Sequence, residues 1–302
     1  MLRISTISRS FGDHRVLDDV SFDVEPGRMT GFLGANGAGK TTTMRIILGV
    51  LAPDSGSVTW NGKPVTQSVR QRFGYMPEER GLYPKMKVAE QIAWFGRLHG
   101  LSAAKATSNT EKLLEQLELA ERADDKLEAL SLGNQQRAQV AAALVHDPTL
   151  LILDEPFSGL DPIAVETVLR VLRERAADGV PVLFSSHQLA VVERLCDDLV
   201  IISGGRITAS GGREELRERY GTPRYELVVD SDAGWLRDMP GIRVATLDGP
   251  RAVVEPEFGN GFAGTDGERL GQRILRAALE RGEVRAFTPV VPTLDEIFKE
   301  AI

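Results

Sequence analysis

The amino-acid sequence predicts an α/β protein, with a parallel sheet covered by helices in a first domain and a small α+β second domain. Up to about residue 220, short apolar runs alternate with helical patterns, as parallel strands joined by covering helices require. A glycine-rich loop at residues 34–42 follows an apolar strand at 29–33 and precedes a helix that begins near Thr42. Residues 221–224 interrupt the alternation, so we predict domains at 1–220 and 225–302.

The composition is that of an ordinary globular chain. Of its 302 residues, 42% are hydrophobic and 26% are charged, which excludes a disordered protein. The longest apolar run, residues 140–145, is too short to span a membrane, and the N-terminus lacks the apolar segment of a signal peptide. The single cysteine, Cys196, lies on an apolar helical stripe, which predicts a packed thiol in a reducing cytoplasm. The net charge of −7 and the lack of a basic cluster argue against nucleic-acid binding.

In the first domain, apolar runs predict further strands at 149–153, 180–185 and 199–203. The first of these is continuously apolar, as expected of a central strand that is buried on both faces. A helix between Asp161 and Ala177 begins with an aspartate cap that is followed by proline. Residues 88–128 are almost purely helical in pattern, and we interpret them as a helical insertion that extends to about residue 145.

The second domain shows the element order of a ferredoxin-like fold. The pattern predicts strands and helices at Tyr225–Asp230, Ala233–Met239, 242–247, 251–255, Leu270–Arg281 and Val284–Phe287. The second and fifth of these are helices, so the order is β-α-β-β-α-β. A capping box at Thr293–Glu296 predicts a terminal helix.

The glycine-rich loop carries the clearest chemical signal. It fills the pattern G-x-x-x-x-G-K-[ST] with Gly34, Ala35, Asn36, Gly37, Ala38, Gly39, Lys40, Thr41 and Thr42. Glycines let successive backbone N–H groups converge on one anion, and the positive end of the following helix assists them. Lys40 adds a charge for the outer phosphates, and the Thr41 hydroxyl is placed to ligate Mg²⁺. The loop therefore predicts a nucleoside triphosphate site.

Acidic residues follow the predicted central strand. Asp154 and Glu155 come directly after it, at the end of a parallel strand where ligands bind in open α/β sheets. In one triphosphate site, one acid can hold Mg²⁺ while the other accepts a proton from the attacking water. His187 follows the next strand, where a lone histidine is more often a structural hydrogen-bond partner.

Through these motifs, residues 1–220 resemble the ATP-binding subunits of ABC transporters. Leu130–Arg137 looks like the signature segment of that family, and Ser158–Asp161 matches its D-loop. His187 stands in the place of its switch histidine, and Phe11 in the place of the aromatic that stacks on adenine. Residues 73–77 lead into its Q-loop.

The resemblance implies a role for each of these positions. Phe11 would stack on the base, residues 34–42 would bind the phosphates, and Thr41 and Asp154 would hold Mg²⁺. Glu155 would act as the general base, and His187 would contact the γ-phosphate of ATP. In this family the signature segment faces the nucleotide of a second chain, so the resemblance implies a head-to-tail homodimer. The signature positions that would bind ATP in this way are Ser131, Gly133 and Asn134.

Two positions depart from the family pattern. Leu132 replaces a glycine in the signature segment, which limits the backbone there. Glu78 replaces the Q-loop glutamine; its carboxylate can still ligate Mg²⁺ and bind at the nucleotide site, but it adds negative charge near the γ-phosphate. Two interpretations stay open: Glu78 is a tolerated variant, or it raises the magnesium requirement or slows ATP engagement.

The resemblance implies that the chain energises a separate transmembrane permease, and that it lies on the inner face of the cell membrane through that partner. The helical insertion and the segment after Glu78 would receive the permease. The small second domain resembles that of exporters of sodium ions, drugs or antibiotics, which favours export. Its own role is left open between dimer bracing, permease contact and ligand sensing. Two alternatives remain: a soluble superfamily ATPase in translation or DNA repair, and an ATP-gated regulator without turnover.

Overall fold

The computed structural model describes residues 1–79, 81–186, 189–220, 224–257 and 265–290. His187 and the capping box at 293–296 lie outside these residues. The chain divides into two compact units, Met1–Gly212 and Arg213–Ile302. The first domain was predicted to end at residue 220, beyond this division, because residues 221–224 interrupt the sequence pattern, whereas the mixed-charge run at 213–219 carries no turn signal.

The first unit contains ten strands and seven helices among the described residues. The strands are β1 (Leu2–Phe11), β2 (His14–Val24), β3 (Met29–Leu33), β4 (Ser55–Trp60), β5 (Lys63–Pro64), β6 (Phe73–Met76), β7 (Leu150–Leu153), β8 (Val182–Ser186), β9 (Asp198–Ser203) and β10 (Arg206–Gly212). The helices are α1 (Lys40–Ile47), α2 (Gln67–Arg70), α3 (Val88–Leu98), α4 (Ala103–Gln116), α5 (Leu132–Leu144), α6 (Pro162–Ala177) and α7 (Leu189–Leu195).

The central sheet has the strand order β10-β9-β3-β8-β7-β6. All its pairs are parallel except that of β10 with β9. Every residue of β3, β7 and β8 is buried, which explains the continuous apolar run of β7 and confirms the predicted parallel sheet. β3, β8 and β7 are parallel neighbours, so their carboxyl ends lie at the same edge of the sheet. The loop after β3 and the acids after β7 therefore emerge at that edge.

A second, antiparallel sheet in this unit has the order β2-β1-β4-β5. This sheet was not predicted from the sequence, because the register of its strands shifts repeatedly and the shifts break the alternation of apolar residues. Thr6 and Asp19 lie in the left-handed region at these shifts, with φ of +50° and +57°. Phe22 of this sheet packs on Phe32 of β3 at a centroid distance of 5.1 Å, so both sheets share one core.

The helical insertion consists of α3, α4 and two short 3-10 helices, followed by α5. Leu113, Leu114 and Leu117 supply its buried apolar side. Cys196, which follows α7, is buried as the apolar stripe predicted.

The second unit begins with α8 (Arg213–Tyr220). It continues with β11 (Arg224–Val229), a 3-10 helix (Gly234–Asp238), β12 (Ile242–Asp248), β13 (Arg251–Pro256), α9 (Thr265–Leu279) and β14 (Val284–Val290). Its antiparallel sheet has the order β12-β13-β11-β14, and the β-α-β-β-α-β order is confirmed with a 3-10 helix as the first helix. None of the described helices in the chain is both long and apolar enough to cross a membrane.

Candidate functional site

The loop between β3 and α1 forms a concave cradle of main-chain amides. Gly37 and Gly39 have φ of +81° and +111°, which side chains rarely adopt. At Gly34, an added Cβ would lie 2.5 Å from the Ile202 carbonyl oxygen, so the close approach of the two backbones needs glycine. Gly39 caps α1, and no described side chain accepts a hydrogen bond at that cap. The first amides of α1 therefore face the cradle, where an anion binds best.

Lys40 places its ammonium group inside this cradle. Its side chain is buried, and Nζ donates to the carbonyl oxygens of Gly34 at 2.6 Å and Ala35 at 3.2 Å. These bonds close the loop on itself. They also set a positive charge beside the amides that an incoming phosphate would meet.

Asp154 links the loop helix to the neighbouring strand. Its carboxylate is buried and accepts from Thr41 Oγ1 at 2.8 Å and from Ser185 Oγ at 2.5 Å. The two residues that the resemblance implies as magnesium ligands thus lie within hydrogen-bond distance of each other. The side-chain atoms of Thr41 and Asp154 that could coordinate a cation are all oxygens, which Mg²⁺ prefers as ligands.

Glu155 adopts an unusual backbone conformation. Its φ is +52°, in the left-handed region, although it is not glycine, and the residue is buried. Its backbone N–H donates to Ser185 Oγ at 2.9 Å. Its carbonyl oxygen accepts from Gln136 Nε2 at 3.0 Å and from the Ser158 backbone N–H at 3.1 Å. Neighbouring groups therefore hold the two peptide groups that flank the Glu155 Cα.

These groups line one cavity of about 390 Å³. Its walls are formed by His14, Val16, Asn36, Gly37, Gly39, Lys40, Thr41, Thr42, Glu78, Asp154 and Glu155. The volume falls within the range of small-ligand sites. Glu78 brings a third carboxylate to the cavity, so the site holds more acidic than basic groups and favours a bound cation.

Tyr75 of β6 remains a neutral phenol beside this acidic group. Its burial raises the pKa of the phenol, and the negative charge of Asp154 raises the pKa further. The Arg45 guanidinium acts in the opposite direction with a smaller effect. Tyr75 therefore adds no negative charge to the site at neutral pH.

The structure does not bring every predicted site residue to the cavity. Phe11 is half exposed at the end of β1, and the Arg9 guanidinium lies 5.0 Å from its ring centroid. Among the described residues that line the cavity, the β1–β2 hairpin contributes His14 and Val16 rather than Phe11. His187 lies outside the described residues.

The signature positions form the start of α5, apart from the cavity lining described above. Ser131 caps this helix, and its Oγ accepts from the Asn134 backbone N–H at 3.3 Å. The Asn134 side-chain oxygen accepts from Arg137 at 2.5 Å. An added Cβ at Gly133 would lie 3.5 Å from Leu160 of the segment before α6.

Sequence reasoning missed three residues that hold the site together. Ser185 contacts both acids, Gln136 holds the Glu155 carbonyl, and Gln139 Nε2 donates to the Pro77 carbonyl oxygen at 2.7 Å. The two glutamines are buried three positions apart on α5. Two side-chain amides at that spacing, on a helix face otherwise rich in alanine and valine, were the sequence signal that could have indicated them.

Comparison with known families places matches in both units. The family described as ABC transporter matches residues 17–158. The family described as ATP-binding protein DrrA1-3-like, C-terminal domain, matches residues 211–302.

Similar individual proteins cover much or all of the chain. One is "Uncharacterized ABC transporter ATP-binding protein YhaQ" of Bacillus subtilis (strain 168), 39% identical over 100% of this chain and 98% of that protein. Another is "Nod factor export ATP-binding protein I" of Cupriavidus metallidurans, 41% identical over 72% of each chain. The solved "Structure of ATP binding subunit of ABC transporter" is 34% identical, with a TM-score of 0.68 over 73% of this chain and 93% of its own.

Proposed function

We infer the function from one premise: the chain belongs to the family of ABC transporter ATP-binding proteins. The resemblance drawn from the motifs is thereby confirmed, and the chain is an ABC ATPase. We propose that it binds ATP with Mg²⁺, hydrolyses it, and energises a separate membrane permease for export.

The observation that carries this proposal is that three groups meet in one cavity: the amide cradle with Lys40, the Thr41–Asp154 pair and Glu155. They come from two separate stretches of the chain, the loop with the start of α1 and the end of β7. They share one edge of the central sheet. A cradle for phosphates, oxygen ligands for a cation and a buried acid are the parts that phosphoryl transfer to water requires.

In the proposed mechanism, the loop amides and the start of α1 bind the β- and γ-phosphates. Lys40 leaves its bonds to Gly34 and Ala35 for the outer phosphate oxygens. Thr41 and Asp154 would hold Mg²⁺, which supplies neutralisation of phosphate charge when it is bound. Glu155 accepts the proton of the attacking water, which it can orient because its backbone is held from both sides.

The remaining site residues keep the roles that the family implies. Phe11 stacks on adenine from the end of β1, close along the chain to His14 of the cavity wall. Ser131, Gly133 and Asn134 bind the nucleotide of a second copy in a head-to-tail homodimer. In support, the start of α5 carries backbone N–H groups suited to a phosphate, yet lies apart from the cavity lining of its own chain.

Exposed aromatic residues support the permease as partner. Tyr83, in the segment after Glu78, is exposed and lies edge-on to Trp94 of α3 with centroids 6.2 Å apart. Leu98, one turn further along α3, is also exposed. Clustered apolar side chains of this kind mark protein contact sites. We propose that the permease's cytoplasmic helices bind here, which holds the chain on the inner face of the membrane.

Export, rather than import, is supported by the relative named for Nod factor export. The permease selects the exported substrate in this proposal.

The test of this function is the Glu155→Gln variant. With Mg²⁺ and ATP, we expect the parent chain to hydrolyse ATP and the variant to lose about 100-fold or more of that rate, because it lacks the general base. Nucleotide binding, measured with labelled ATP, should be retained. Glu128→Gln, which removes an exposed acid from a 3-10 helix elsewhere in the unit, serves as the control of equal charge change. If parent and Glu155→Gln are equally inert with the permease present, the chain is an ATP-gated regulator instead.

A further inference from the structure

Glu155 has a left-handed φ of +52°, and side chains of two other elements form hydrogen bonds with its backbone. We propose that Ser185 and Gln136, together the Glu155 clamp, are positioning residues for the hydrolysis reaction. The clamp deepens the proposed function and rests on it, since it acts through the general base.

Ser185 holds the peptide group on the N-terminal side of Glu155. Its hydroxyl has one proton, which it donates to Asp154 at 2.5 Å, while its oxygen accepts the Glu155 N–H at 2.9 Å. Ser185 is fully buried at the end of β8. One rigid side chain therefore sets the position of the cation-binding acid and of the general base relative to each other.

Gln136 holds the peptide group on the C-terminal side of Glu155. Its Nε2 donates to the Glu155 carbonyl oxygen at 3.0 Å, and the side chain is 3% exposed. Gln136 belongs to α5, the helix that begins at Ser131. The clamp thus connects the helix that we propose to face the second copy's nucleotide with the general base of its own chain.

The conformation of Glu155 explains why a clamp is needed. A non-glycine residue in the left-handed region is strained, and it persists only when surrounding groups over-determine it. Without the clamp, the backbone can relax toward an ordinary conformation. The carboxylate would then leave its position, although the phosphate cradle would be unchanged.

Gln136→Met tests the C-terminal side of the clamp, because it keeps the length of the side chain and removes the donor. We expect kcat to fall about tenfold while KM for ATP stays within about twofold, since the variant misplaces the base and leaves the cradle intact. The control is Asn109→Ala. Asn109 makes the same kind of buried amide-to-carbonyl bond, to Val145 at 2.7 Å beyond the far end of α5. It should lower thermal stability without changing kcat.

Ser185→Ala tests the N-terminal side and removes both hydrogen bonds of that hydroxyl. It should lower kcat and also raise the Mg²⁺ concentration for half-maximal activity, because Asp154 loses a partner. Gln136→Met should leave the magnesium curve in place. Ser185→Thr, which keeps the hydroxyl, should restore most of the activity.

A double variant shows whether the clamp acts through the general base. In the Glu155→Gln background, adding Gln136→Met should produce no further loss of residual hydrolysis. A further loss as large as that in the parent chain would overturn the clamp, as would an active parent whose Gln136→Met and Ser185→Ala variants turn over at the parental rate. An inert parent chain would contradict the proposed function itself and the clamp with it.

Discussion

At the scale of single residues, the site is defined by an excess of acid. Glu78, Asp154 and Glu155 share a cavity with one lysine, and an ATP phosphate tail would add further negative charge. Asp154 is buried and already hydrogen-bonded by two hydroxyls, whereas Glu78 is exposed. Glu78 therefore leaves a solvent-screened negative charge at the cavity, which repels an incoming phosphate tail until a cation offsets it.

The first residue-scale prediction concerns Glu78→Gln. Removing this charge should lower the Mg²⁺ concentration for half-maximal ATP hydrolysis by about two- to threefold, because less repulsion remains to be neutralised near the γ-phosphate. The measurement is the rate of phosphate release against magnesium at fixed ATP. Glu79→Gln is the matched control, since Glu79 is exposed and is not among the lining residues given above. A Glu78→Gln curve that superimposes on that of the parent chain would mean that the glutamate is a tolerated variant.

At the scale of elements, α5 connects the two halves of the proposed mechanism. Its first turn holds the signature positions, and its inner face holds Gln136 and Gln139. Leu132 starts this helix and is not among the residues with positive φ, so the conformational freedom of a glycine is not needed there. In a helix, leucine is more favourable than glycine by about 0.8 kcal/mol, and the departure from the family pattern favours a formed α5.

The element-scale prediction compares two serine caps. Ser131 caps α5 and Ser102 caps α4, each through a hydrogen bond of 3.3 Å from a backbone N–H. Ser131→Ala and Ser102→Ala should each lower the free energy of unfolding by about 1 kcal/mol in urea denaturation. ATP hydrolysis should fall about tenfold only in Ser131→Ala, because only that cap also faces a nucleotide in the proposed dimer. Equal hydrolysis by the two variants would remove Ser131 from the site.

At the scale of the whole molecule, a single chain presents two separated parts of one proposed site. The cavity lies at the edge of the central sheet, while the start of α5 is apart from its lining. Leu132 on α5 and Ile163 on α6 are exposed apolar side chains near this second part. A second copy that covers them would bury apolar surface and complete both sites at once.

The whole-molecule prediction is that ATP drives this association. The chain has a mass of about 33.0 kDa. The Glu155→Gln variant should elute as a dimer of twice that mass when ATP and Mg²⁺ are present, because bound ATP is no longer consumed. Adding Leu132→Glu should return it to the monomer mass by placing a charge in the proposed interface. Leu98→Glu is the control, since Leu98 is 60% exposed on α3 and Leu132 is 57% exposed. Light scattering that shows a dimer in both double variants would place the interface elsewhere.

Much of the first unit could be predicted from local pattern, and the exceptions have a physical cause. β7 was predictable because a strand that is buried on both faces is continuously apolar, and β3 because it is a mostly apolar run directly before the glycine-rich loop. β1 and β2 were not, because their register shifts at Thr6 and Asp19 break the alternation that identifies a half-buried strand. The phosphate loop was predictable because all its residues are consecutive.

The sequence by itself determined the chemical groups and the ends of the strands that carry them: a phosphate cradle, a lysine, a hydroxyl and a pair of acids. These lie within short segments, so their spacing is visible without a fold. Only the tertiary structure decided how the acids are held. Ser185 and Gln136 lie 30 and 19 positions from Glu155 along the chain, so a local pattern can mark a buried polar side chain but cannot identify its partner. Such contacts exist only once β8 and α5 have packed around the strand end, because burial then forces each backbone group to find a partner.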